Sequence, residues 1–130
     1  ERYMAKTLTD QAMEARACAY APYSGFQVGA ALVCRDGTVF TGCNMENRAY
    51  GSTLCAERVA VGKAISSGNR AFRILAIVGG ATEEEALQKP CYPCGACLQV
   101  LAEFCEPDFP ILLQDGVHPL KELLPMQFCL

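Results

Sequence analysis

The run Cys91-Tyr92-Pro93-Cys94-Gly95-Ala96-Cys97 contains two overlapping C-x-x-C units, and each has the spacing of a metal-ligand pair. At the start of a helix such a pair aims both sulfurs at one point. The free N–H groups there also favour the thiolate form. Pro93 suits a helix entry, and Gly95 lets the backbone come close to a sulfur. Both features favour Cys94 with Cys97 over Cys91 with Cys94. A pair is not yet a site, because zinc takes at least one more protein ligand and a catalytic zinc keeps a position open for water. His118, the one histidine, follows a turn and precedes Pro119, so it reads as a surface turn residue. Cys55 is the better third ligand. It also opens a helix, and Glu57 stands two residues after it. A carboxylate beside a metal-activated water can take its proton and pass it to a substrate. Three thiolates overcompensate a divalent ion, so nearby positive charge is needed. Arg58 can supply it by hydrogen bonding to sulfur.

These residues need elements to hold them. Leu8, Ala12, Ala15, Cys18 and Ala19 recur at helical spacing and predict a first helix over 8–20. Segments 27–34 and 38–43 are short, apolar and β-favouring, and Asp36-Gly37 between them signals a hairpin turn. Residues 44–53 read as a polar loop. Residues 55–67 form an amphipathic helix stopped by Gly68, and 74–78 a buried strand ended by Gly79-Gly80. Residues 81–93 read as loop, with a helical turn available at 83–87. A third helix is expected over 94–105, a strand over 111–114, and a short helix over 120–124 before Pro125, with room for one more short strand near Val117. The order is α-β-β-α-β-α-β, a layered α/β domain spanning 1–130 with a mixed sheet. If the strand at 74–78 runs parallel to its successor, two helix starts converge on one metal.

Composition narrows the partners. Hydrophobic residues make up 52% of the chain and charged residues 19%, which supplies a core and excludes a disordered chain. Net charge is −3 with no basic stripe, which argues against polymeric nucleic acid and for a small polar ligand. No apolar run approaches the ~20 residues of a membrane span. Nine cysteines, an odd count, with no secretory leader visible, point to a reducing cytoplasm with some thiols on metal rather than to a disulfide framework.

Cys55-Ala56-Glu57-Arg58 followed by Pro93-Cys94-Gly95-Ala96-Cys97 resembles the zinc signature of the cytidine deaminases, in its three-cysteine form. The resemblance extends to Tyr23-Ser24-Gly25-Phe26 with Val28-Gly29-Ala30-Ala31, to Gly42-Cys43-Asn44-Met45-Glu46-Asn47, and to Glu122-Leu123-Leu124-Pro125. It implies a three-layer α/β/α fold on a mixed sheet of roughly five strands. The implied reaction is hydrolysis of cytidine and deoxycytidine to the uridine products and ammonia, with one Zn²⁺ per subunit on Cys55, Cys94 and Cys97. Zinc activates the attacking water, and Glu57 shuttles protons. By the same resemblance Asn44 and Glu46 hydrogen-bond the ribose, Phe26 lines the base pocket, and the backbone at Ala56 reads the pyrimidine edge. The implied assembly is a homotetramer in which Phe128 closes on a neighbouring subunit's site. Tyr50 divides between loop packing and substrate contact.

The chain departs from the family where an arginine commonly follows the last ligand: here Leu98 stands there. One orienting cation is then expected to be missing, and Leu98→Arg is expected to restore it. Cys91 is an extra thiol. Two other readings remain: deamination of an altered cytosine compound such as blasticidin S, and a non-catalytic four-cysteine zinc module that uses Cys91 and has no role for Glu57.

Overall fold

The computed structural model describes residues 2–130, with side chains from residue 4 onward. The elements are α1 (Arg2–Arg16), β1 (Gln27–Cys34), β2 (Val39–Cys43), α2 (Ala56–Ser66), β3 (Phe72–Gly80), α3 (Glu83–Gln88), α4 (Gly95–Phe104), β4 (Pro110–Leu113), β5 (Gly116–Pro119) and α5 (Leu120–Leu123), with a 3-10 turn at Tyr50–Ser52. The strands form one five-stranded sheet in the order β2-β1-β3-β4-β5. β1 pairs antiparallel with both β2 and β3, β3 pairs parallel with β4, and β4 pairs antiparallel with β5. The expected mixed sheet is therefore present.

Strand alternation sorts the core onto two faces. Ala30, Leu32, Cys34, Leu75, Ile77, Ile111 and Leu113 face α2, α4 and α5, where Ala60, Ala64, Leu101 and Leu120 are fully buried. Ala31, Val33, Ala76 and Val78 face the other way, against Leu8 and Ala12 of α1. The result is three layers. Most of the apolar material lies on the α2/α4 side. There the sheet has to anchor two helices whose starts carry the cysteines.

Several elements differ from the sequence reading. The first helix ends at Arg16, not near residue 20. Its last residue turns inward, and Arg16 Nη2 donates to the Gly80 carbonyl at 2.8 Å. β3 runs through Gly79 and Gly80 instead of ending before them, because Val28 and Gln27 of β1 pair with those glycines. Residues 83–88 form a real helix capped by Thr82, whose hydroxyl accepts from the Glu85 amide at 3.1 Å. Of the five cysteines other than Cys55, Cys91, Cys94 and Cys97, only Cys34 is buried. Cys43 and Cys105 are half-buried, and Cys18 and Cys129 are exposed.

Candidate metal centre and catalytic pocket

Cys55 is the N-cap of α2, and Cys94 is the N-cap of α4. Both have extended backbone, and neither side chain caps its own helix. A serine at such a position would turn back onto the first-turn amides. These sulfurs instead point outward, toward each other. α2 leads into β3, while α4 leads into β4, the parallel neighbour of β3. Both helix starts therefore sit at one end of the sheet. Cys97, one turn into α4 and fully buried, completes the group.

The three sulfurs lie within 4.8 Å of one another. Cys55 Sγ is 3.8 Å from Cys94 Sγ, and Cys94 Sγ is 3.5 Å from Cys97 Sγ. Arg58 Nη2 donates to Cys55 Sγ at 3.3 Å, and its buried Nε has no hydrogen-bond partner. The Cys55 thiol is drawn down to about 5, first by the Cys97 thiol as donor, then by Arg58 and Cys94, against a burial that opposes ionisation. The same shared proton, together with burial, pushes Cys97 upward. Two thiols close enough to share a proton, with a third at the same point and a cation on the sulfur, make a donor set suited to zinc. The residues fit the metal.

Glu57 is buried at 5% exposure beside this group. Burial first, then the charge of Cys55, pushes its carboxyl above the ordinary range despite a backbone hydrogen bond. Glu57 faces a cavity of about 160 Å³ lined also by Val28, Asn44, Thr53, Cys55, Cys91 and Tyr92. Thr53 is also a wall of an adjoining crevice of about 350 Å³, with Tyr23, Ser24, Glu46 and Tyr50. A larger cavity of about 650 Å³, among Arg35, Arg70 and Arg73, lies at the opposite end of the sheet and holds none of the clustered sulfurs. Chemistry, not volume, picks the smaller pocket.

The remaining expected site residues are not all brought to this pocket. Ala56 is fully buried and lines the pocket. Asn44 lines it too, but its carboxamide already holds β1 in place: Oδ1 accepts from Val28 N at 2.8 Å and Nδ2 donates to the Phe26 carbonyl at 2.9 Å. One amide hydrogen and one lone pair remain for a ligand. Glu46 is held by the Ser24 hydroxyl and by the Tyr23 and Ser24 amides. The Ser24 hydroxyl contributes most to keeping its carboxyl below the usual range. Phe26 and Cys91 both approach Gly79, but Phe26 is not among the residues that line the pocket. Tyr50 is 78% exposed on its 3-10 turn. Phe128 is not brought to this pocket; it lies 70% exposed on the C-terminal tail.

Sequence reasoning assigned no site role to Ser24, Thr53 or Tyr92. Ser24 lay inside a quoted motif, and Tyr92 stood next to Pro93-Cys94, so both could have been flagged. Thr53 carried no signal. Cys91 lines the pocket but stands outside the three-sulfur group, and burial pushes its thiol up to about 11. A closed four-cysteine site is not formed. Leu98 is 6% exposed and packs in the core on α4, so no cation stands at that position beside Cys97.

Residues 3–113 match the family described as the cytidine and deoxycytidylate deaminase zinc-binding region. The cytidine deaminase of Sporosarcina psychrophila is 50% identical over 126 residues, covering 93% of this chain and 88% of that protein. Among solved structures, cytidine deaminase from Burkholderia pseudomallei superposes with a TM-score of 0.83 at 45% identity, covering 95% of this chain and 98% of its own. That from Mycobacterium tuberculosis gives 0.85 at 42% identity, covering 96% and 97%. With three sulfurs, a supporting arginine and a buried glutamate placed at the junction of two helix starts, the chain belongs to the cytidine and deoxycytidylate deaminase family.

Proposed function

We propose that the protein hydrolyses the 4-amino group of cytidine and deoxycytidine, giving the uridine products and ammonia, with one zinc ion per subunit on Cys55, Cys94 and Cys97. The observation that carries this reading is Glu57: a buried carboxyl with raised proton affinity, facing a small pocket beside the three sulfurs. Zinc, when bound, polarises a water so that it releases a proton near neutral pH. Glu57 takes that proton and delivers it to N3 of the base, which makes C4 electrophilic. The deprotonated water adds to C4. Glu57 then takes the remaining proton from the new C4 hydroxyl and gives it to the exocyclic nitrogen, so that the C4–N bond breaks, ammonia leaves and the uridine carbonyl remains. Burial keeps the carboxyl away from competing water and raises its proton affinity. Arg58 offsets the sulfur charge. The Ala56 backbone meets the pyrimidine edge, and Phe26 packs beside the base.

Asn44 and Glu46 bind the ribose. Glu46, preset by Ser24 and flanked by Tyr50, presents an ionised acceptor to sugar hydroxyls in the crevice joined through Thr53. That pairing favours an ordinary ribose over an altered sugar. Phe128 reaches a neighbour's site in a homotetramer. No helix among the described residues is long and apolar enough to cross a membrane, and nine free thiols suit a reducing cytoplasm.

Loss of cytidine absorbance, followed for zinc-loaded wild type and Glu57→Gln, tests the function. Glu57→Gln should retain zinc and lose about 10²–10⁴ in turnover. Equal rates remove Glu57 from the mechanism. An inactive wild type that still binds zinc would favour a binding module.

A further inference from the structure

The structure carries a second polar cluster at the pocket mouth that the reaction above does not use. Tyr92 lines the catalytic pocket two residues before the ligand Cys94. Its hydroxyl donates to Asp115 Oδ2 at 2.7 Å. His118 Nε2 lies 2.7 Å from the other oxygen, Asp115 Oδ1, and His118 Nδ1 lies 3.0 Å from Glu122 Oε1. The His118 and Tyr92 rings meet edge to face at 6.0 Å. Four side chains from the 90–94 segment, the β4–β5 turn, β5 and α5 are thus joined. The charged groups that face His118 are Asp115 from the turn and Glu122 from α5, and the titratable one is the Tyr92 hydroxyl. β4 places the apolar Ile111 opposite it. Lys121 of α5 makes no ion pair with the cluster.

The donor count decides what this arrangement can do. Ionised Asp115 and Glu122 only accept. A neutral imidazole has one donor and one acceptor, while the imidazolium has two donors. Both ring nitrogens face carboxylates, so only the imidazolium satisfies both contacts. On deprotonation one contact becomes acceptor against acceptor and must open.

We propose that His118 is a protonation latch for the substrate pocket: its imidazolium bridges Glu122 and Asp115, and through Asp115 it fixes Tyr92, a positioning residue, and with it the 90–94 segment that leads to Cys94. The proposal rests on the deaminase reading for the activity it modulates, but not for the cluster itself. Asp115 first, then Glu122, raises the proton affinity of His118 above its ordinary 6.5. Tyr92 first, then His118, keeps Asp115 ionised at lower pH than usual. Because the folded value of His118 is raised, the latch contributes in full below about 6.5 and is lost as pH rises through the folded value.

The lone histidine makes the test direct. Proton NMR of the zinc-loaded protein follows the His118 ring and the Tyr92 ring against pH, beside pH profiles of kcat/KM for cytidine in wild type, His118→Gln and Tyr92→Phe. His118 should titrate above 6.5, and Tyr92 resonances should move with the same midpoint. Wild-type kcat/KM should drop roughly three- to tenfold through that midpoint, mainly in KM, the span of one net hydrogen bond. His118→Gln and Tyr92→Phe should both lack the step, so the proposal does not hang on the folding of one variant. Asp115→Asn should lower the His118 midpoint toward 6.5. Superimposed profiles for the three proteins, or Tyr92 resonances indifferent to His118, overturn the latch. An inactive wild type would overturn the deaminase reading, while the Tyr92 shifts would still decide the latch.

Discussion

Two cysteines occupy cap positions and cap nothing. At Cys55 and Cys94 the sulfur is turned away from its own helix, so the free first-turn amides of α2 and α4 act on it only as positive potential. That potential is diffuse; Arg58 adds a directed charge at 3.3 Å from Cys55 Sγ. The arginine is therefore the strongest single test of how the thiolates are kept compatible with a metal that must still polarise water. Arg58→Gln should weaken zinc binding about 10–100-fold, the usual cost of losing a group that supports a metal ligand. Competition with a chromogenic chelator measures it, and unchanged affinity would remove Arg58 from the site. Much of this was legible in the sequence, because ligand chemistry is written in residue type and spacing: Cys55, Glu57, Cys94 and Cys97 are brought together as read. Leu98 was not legible. A leucine next to a ligand does not show from sequence alone that it packs into the core. Nor was the double duty of Asn44, whose carboxamide holds β1 in place at Val28 and Phe26 while it lines the pocket.

The elements place the site by close approach of helix to sheet. An added Cβ at Gly42 of β2 would lie 2.4 Å from the Ala56 carbonyl and 2.7 Å from Ala60 N, both backbone atoms of α2. At Gly29 of β1 it would lie 1.9 Å from the Ala12 carbonyl, on the α1 side. Neither obstacle is a flexible side chain, so the helix itself must shift. Gly42→Ala and Gly29→Ala should each cost about 1–3 kcal/mol in denaturant unfolding, the usual range for overpacking. Only Gly42→Ala should also weaken zinc binding, since α2 carries Cys55 at its start and α1 carries no ligand. Equal zinc affinity in both variants would mean that the α2 start is held by something other than its seat on β2. The order of elements was readable from periodicity and turn residues, and the mixed sheet followed from it. The glycine-ended strand was misread for a physical reason. Gly79 and Gly80 look like punctuation in one dimension. In the sheet they pair with Val28 and Gln27, and the absence of a Cβ at Gly79 makes room for the Cys91 sulfur, which would otherwise be 2.6 Å away. The first helix was placed too late because small residues at 17–19 continue its pattern, while Arg16 instead ends it with a bond to Gly80.

At the scale of the whole molecule, the C-terminal tail leaves large apolar groups exposed. Met126 is 90% exposed and Phe128 70%, on a tail laid along α4 by Gln99 Nε2 donating to the Phe128 carbonyl at 3.3 Å. The catalytic pocket is lined only by residues from Val28 to Cys94, so the tail does not close the site of its own subunit. Tyr50 and Val117 are exposed as well, at 78% and 58%. Apolar groups left outside in this number suit burial against other copies. A homotetramer should appear in light scattering as a mass four times the 14.0 kDa chain. If Phe128 then seats against substrate in a neighbour, Phe128→Ala removes an aromatic anchor worth about 2 kcal/mol, and KM for cytidine should rise roughly thirtyfold with kcat little changed. Light scattering on the same variant separates the two roles of the tail. A tetramer with raised KM places Phe128 at substrate, and a dissociated protein makes it an assembly contact. A tetramer with unaltered KM leaves the neighbour's site closed by other residues and removes Phe128 from the reaction.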